Sequence, residues 1–174
     1  MTAAANRRAD RGFVLSAVVW EAASHRGHGC HALCAAPERL RADKAFALDC
    51  IGANAAAIER CSAGLRADRD VVLAAVRLEP GTLRHAAPAL KADRELVRLA
   101  MRRDPCVLAH ASVDLRGDHS LVIDSVRRCA ASARSFTMML RHVTDELKRD
   151  RAFRRALRQA IIDTAPLVAI MSCG

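Results

Sequence analysis

A single tetrad, Leu–basic–x–Asp, recurs along the chain and limits what it can become. It stands as Leu40-Arg41-Ala42-Asp43, Leu65-Arg66-Ala67-Asp68, Leu90-Lys91-Ala92-Asp93, Leu115-Arg116-Gly117-Asp118 and Leu147-Lys148-Arg149-Asp150. The aspartates are 25, 25, 25 and 32 residues apart. A weaker copy ends at Asp10, with Arg7 in place of the leucine. Six units therefore start near residues 10, 43, 68, 93, 118 and 150, and the 10-to-43 and 118-to-150 intervals carry insertions of eight and seven residues. Repetition at this period implies one supersecondary unit that buries its apolar side against its own copies.

Counting forward from each Asp identifies the unit's first element. Position +3 holds Phe13, Phe46, Val71, Leu96, Leu121 and Phe153. Position +4 holds Val14, Ala47, Val72, Val97 and Val122; position +7 holds the small residues Ala17, Cys50, Ala75, Ala100 and Ser125; position +8 holds Val18, Ile51, Val76, Met101 and Val126. Apolar residues at these spacings make one face of an α-helix. The Asp before them is placed to cap free N–H groups at the positive helix end.

Pro80 and Pro105, at +12, mark the end of this helix and the start of another. Counting back from the next Asp, −10 holds Leu33, Ile58, Leu83, Leu108 and Leu140, and −7 holds Ala36, Cys61, Ala86, Ala111 and Val143. With the tetrad leucine at −3, these spacings predict a second, shorter helix. The expected fold is all-α: a short α-solenoid of about six helical-hairpin repeats, spanning residues 1–174 as one array. Leu73, Val76, Leu83, Ala86, Leu90, Leu99, Leu108, Ala111 and Leu115 are its expected core. In the last unit Arg154, Arg155 and Arg158 displace the apolar set, and Phe153, Ala156, Leu157, Ala160 and Ile161 form a rotated stripe, as in a cap with a polar outer side.

Composition agrees. Alanine supplies 36 of 174 residues and aromatics only 3%, which suits closely packed helices. The seven Cys are scattered at 30, 34, 50, 61, 106, 129 and 173, so no disulfide framework is legible. Residues 1–12 are polar and basic, no signal peptide is expected, and no run is long enough to span a bilayer. These features point to a reducing, intracellular setting, cytoplasmic or nuclear, away from membranes.

The unit Leu-Lys-Ala-Asp-Arg-Glu-Leu-Val, with Ala, Pro80 or Pro105 and the following Leu/Ala pair at their fixed spacings, resembles the repeat of the family called domain of unknown function 4116. The resemblance covers about residues 7–156. It implies tandem helical repeats and no established activity.

Two constellations bear on chemistry. His25, His28, Cys30, His31 and Cys34 put five potential metal ligands within ten residues of the first insertion. Zinc takes three or four such ligands, but the spacing matches no two-pair zinc pattern, and a solvated loop is the alternative. No other cofactor is expected. Cys50 and Cys61 stand where sister units have Ala, so they read as buried small hydrophobes. No nucleophile elbow, phosphate loop, metalloprotease or dinucleotide motif is present, so an enzyme is not expected.

The second constellation is charge. The net charge is +9, carried by 25 Arg and three Lys. Position −2 is basic throughout (Arg8, Arg41, Arg66, Lys91, Arg116, Lys148), and position +1 holds Arg11, Lys44, Arg69, Arg94, His119 and Arg151. In a solenoid these would form two basic ladders, unless each cation merely offsets its own Asp. Such ladders would bind nucleic-acid phosphates in a salt-sensitive way. Stacking aromatics are scarce, which favours an unidentified protein partner. Three functions stay open: a protein–protein interaction scaffold, a phosphate-directed nucleic-acid binder, and a metal-binding module at residues 25–34.

Overall fold

The computed structural model describes residues 10–24, 31–128 and 133–171, all helices and connecting turns. The α-helices are α1 (Arg11–Ala23), α2 (His31–Cys34), α3 (Glu38–Arg41), α4 (Lys44–Ala53), α5 (Ala63–Arg66), α6 (Arg69–Leu78), α7 (Pro88–Lys91), α8 (Arg94–Met101), α9 (Val113–Arg116), α10 (His119–Arg128), α11 (Ala133–His142), α12 (Asp145–Arg149) and α13 (Arg151–Met171). Three 3-10 helices lie at Ala55–Arg60, Pro80–His85 and Pro105–His110. Among the described residues there is no strand, and no helix is long and apolar enough to cross a membrane.

The aspartate caps form as the periodicity predicts. Asp43 accepts from the Phe46 N–H (2.9 Å), Asp68 from Asp70 (2.9 Å) and Val71 (3.4 Å), Asp93 from Glu95 and Leu96 (both 3.0 Å), and Asp118 from Leu121 (2.9 Å). Each carboxylate takes up N–H groups that have no partner within the helix. The stripe behind the cap is buried: Phe46, Ala47, Cys50 and Ile51 in α4; Val71, Val72, Ala75 and Val76 in α6; Leu96, Val97, Ala100 and Met101 in α8. Ser125 fills the small position in α10, where its hydroxyl donates to the Leu121 carbonyl (2.9 Å) and so survives burial.

The second half of each copy differs from the expected single helix. Asn54, Glu79 and Asp104 adopt extended backbone and open the 3-10 helices; Asn54 accepts from Ala56 (3.0 Å) and Asp104 from Cys106 (2.9 Å). The chain then breaks at the small −7 residue and restarts as a single α turn. Ser62 caps α5 by accepting from Leu65, Ser112 caps α9 by accepting from Leu115, and Thr144 caps α12 by accepting from Leu147, each at 3.4 Å. In the copies that start at Asp43, Asp68 and Asp93 the helical-hairpin unit is therefore a three-segment unit of an α-helix, a 3-10 helix and an α turn, and in those that start at Asp10 and Asp118 the middle segment is α-helical, at α2 and α11. These caps compete with helix propagation at position −6 in three copies, and in the other two the turn opens at Pro37 or Pro88, where a proline cannot continue a helix from the preceding residues.

The restart also ties one copy to the previous one. The N–H groups of Ser62, Ala87, Ser112 and Thr144 donate to the carbonyls of Arg41, Arg66, Lys91 and Arg116, at 2.9, 2.9, 2.9 and 3.3 Å.

The chain forms two compact units, residues 1–90 and 91–174. In the first, α4 packs on α1 and α6, and the 3-10 helices at 55–60 and 80–85 pack on each other. In the second, α11 packs on the 3-10 helix at 105–110, and α10 packs on α13. Leu83, Ala86, Leu90, Leu108, Ala111 and Leu115 are buried as expected. Leu73 and Leu99 are only half-buried, because they lie off the centre of the packed stripe. In the copy before Asp150 the buried residue is Met139, with Leu140 half-buried; the insertion shifts the register there by one.

Candidate interaction surfaces

Position +1 reaches into the next copy. Lys44 Nζ lies 2.8 Å from the Asp68 carboxylate and 2.9 Å from Asp70. Arg94 donates to Asp118 (2.9 Å) and to the Ser120 hydroxyl (2.7 Å). Arg11 lies 2.8 Å from Asp49 and 3.6 Å from Asp43, with its guanidinium 5.3 Å from the Phe46 ring centroid. His119 meets the Phe153 ring edge to face at 5.5 Å. In these four cases the +1 side chain spans to the cap or the +3 aromatic of the following copy, rather than offsetting its own Asp.

The electrostatics follow. The Lys44 ammonium, with the Asp70 and Val71 N–H groups, holds the Asp68 carboxyl below its usual range. At Asp118 burial opposes ionisation, yet Arg94, the Leu121 N–H and the Ser120 hydroxyl together bring its pKa down to about 2.

Position −2 is placed differently. Arg41, Arg66, Lys91 and Arg116 are half-buried. The Nε atoms of Arg41, Arg66 and Arg116 are shielded from solvent, so their stems are part of the packing. Arg41 also pairs with Glu38, and Lys148 with Asp145 (3.2 Å). Arg69 and Arg151 are exposed.

His31 and Cys34 are exposed at the two ends of α2. His25, His28 and Cys30 lie outside the described residues, and the described residues contain no group of three or more His, Cys, Asp or Glu side chains able to hold a metal. Burial pushes the Cys50 thiol up to about 12 and the Cys61 thiol up to about 11, so both stay protonated.

One surface went unread in the sequence. Phe13, expected in the core at +3, is 50% exposed, and Trp20, the chain's one tryptophan, is 63% exposed. They are seven residues apart and share a face of α1, while Val14 and Val18 take its buried side. The repeat register concealed this face, because +3 is buried in the later copies. The lone Trp outside the register was the available signal.

Residues 68–116 match the family described as Domain of unknown function (DUF4116). No curated protein and no solved structure matches the chain.

Proposed function

We propose that the protein is a helical-repeat scaffold for protein–protein interaction, its copies stacked as a short α-solenoid. The observation that carries this reading is the exposed Phe13–Trp20 face of α1. A large aromatic held in water on a regular helix is costly, and Trp is among the residues that most often anchor interfaces. The recurring contacts from +1 to the next copy's cap support the solenoid arrangement, in which each unit is stabilised by its neighbour.

Affinity capture from native lysate, with and without nuclease, tests the proposal. The captured protein should persist after nuclease and be lost with Phe13→Ala/Trp20→Ala. That variant should keep its stability within about 0.5 kcal/mol, as exposed substitutions usually do. Capture that disappears on nuclease treatment, or that is indifferent to the double substitution, overturns the reading.

A further inference from the structure

α13 carries a second surface of opposite character. Phe153 and Ala160 are buried and Ala156 and Leu157 half-buried, so one side of the helix is packed. The opposite side presents Arg151, Arg154, Arg155 and Arg158, all exposed, which line one shallow furrow with Gln159 and Ile162. Spacings of three, four and seven place the four guanidinium groups on one face.

This face lacks acids. Among the described residues Arg151, Arg155 and Arg158 make no ion pair, and Arg154 donates only to the Arg149 carbonyl (3.3 Å). The nearby acids are otherwise engaged: Asp150 accepts from Ala152 (2.6 Å) and Phe153 (3.3 Å), and Asp163 accepts from Gln159 (2.8 Å). The contrast with Lys44 and Arg94 is direct, since those cations are matched by carboxylates. Like charges three and four apart disfavour a helix by a few tenths of a kcal/mol per pair, so this face is one that an anion would stabilise.

We infer that the arginine face of α13 binds the phosphodiester backbone of nucleic acid without regard to sequence. From Arg151 to Arg158 the helix rises about 10 Å, a length that meets about three phosphates of one duplex strand. Guanidinium forks suit phosphate oxygens. An anionic membrane fits less well. An interfacial helix turns a broad apolar side into the lipid, and here Phe153 and Ala160 are packed within the protein, while Ile161, expected on the packed stripe, and Ile162 are the large apolar side chains exposed among the described residues of the helix.

The test is fluorescence anisotropy of the full chain with a labelled 20-base-pair DNA duplex, titrated from 50 to 200 mM salt. Arg154→Glu/Arg155→Glu/Arg158→Glu should weaken binding more than tenfold at 50 mM salt. It should also reduce the slope of log K against log salt by about three, near 0.9 per lost phosphate contact. A Lys triple at the same positions should stay within a few-fold of the parent. Arg102→Glu/Arg127→Glu/Arg128→Glu makes the same change in net charge elsewhere on exposed residues and should cost less than threefold. Should the Glu triple lose helix content, the Gln triple replaces it, with the same slope change expected. Equal losses from the two Glu triples overturn the assignment to α13. So does tighter binding to phosphatidylserine vesicles than to the duplex, or an unchanged salt slope. Nuclease-resistant protein capture is a separate readout, so the scaffold proposal can stand or fall independently.

Discussion

At Asp118 three roles meet in one carboxylate: cap for α10, partner for Arg94 and acceptor for the Ser120 hydroxyl. Its pKa near 2 lies below the unfolded value of about 3.9, so its contribution to stability is present above about pH 4 and is lost as pH falls toward 2. Urea unfolding of the parent between pH 5 and pH 2 should show that loss. Asp118→Asn keeps a competent cap, and its stability should fall less steeply over the same window. Thiol chemistry gives a second check. Cys34 is exposed, whereas Cys50 and Cys61 are buried with raised pKa values. Alkylation at pH 8 followed by peptide mapping should label Cys34 in the native state, and Cys50 and Cys61 only after unfolding. Native labelling of Cys61 would contradict its packed position.

The elements divide into those whose spacing was readable and those whose caps decided them. Leu83 lies on the 3-10 helix at 80–85 and is fully buried. Leu83→Ala should cost about 2–5 kcal/mol in chemical denaturation, as large-to-small core changes do. A cost under about 0.5 kcal/mol would mean that the 3-10 helix is not packed. Three of the α turns, α5, α9 and α12, carry a hydroxyl cap. Ser112→Ala removes the bond to Leu115 N–H and should cost about 1 kcal/mol. Ser62, Ser112 and Thr144 all stand three residues before a tetrad leucine, so the break was written in the sequence. The −10, −7 and −3 periodicity hid it, because a 3-10 helix followed by an α turn buries the same three positions as one continuous helix.

On the scale of the whole molecule, the proposed stacking of copies predicts graded coupling. In a Leu83→Ala variant, native-state hydrogen exchange should lose most protection around residues 68–93 and progressively less in more distant copies. Uniform loss along the chain would count against a linear array. The −2 cations also need a different experiment from the one their ladder suggests. With Nε packed at Arg66 and Arg116, reversal to Glu would disturb folding as well as charge. The exposed arginines of α13 separate binding from stability more cleanly.

The aspartate caps and the +3, +4, +7 and +8 stripe follow from sequence alone, because helix periodicity and capping are local. The matching of Lys44 to Asp68 and of Arg94 to Asp118 does not, since along the chain a cation at +1 is adjacent to its own Asp and 24 residues from the one it pairs with. Only folding decides which carboxylate it meets. Phe13 shows the same divide: its position is shared with the buried Phe46 and Phe153, yet it is half exposed. Burial is a property of what packs above a residue, and the periodicity of a single helix does not contain that.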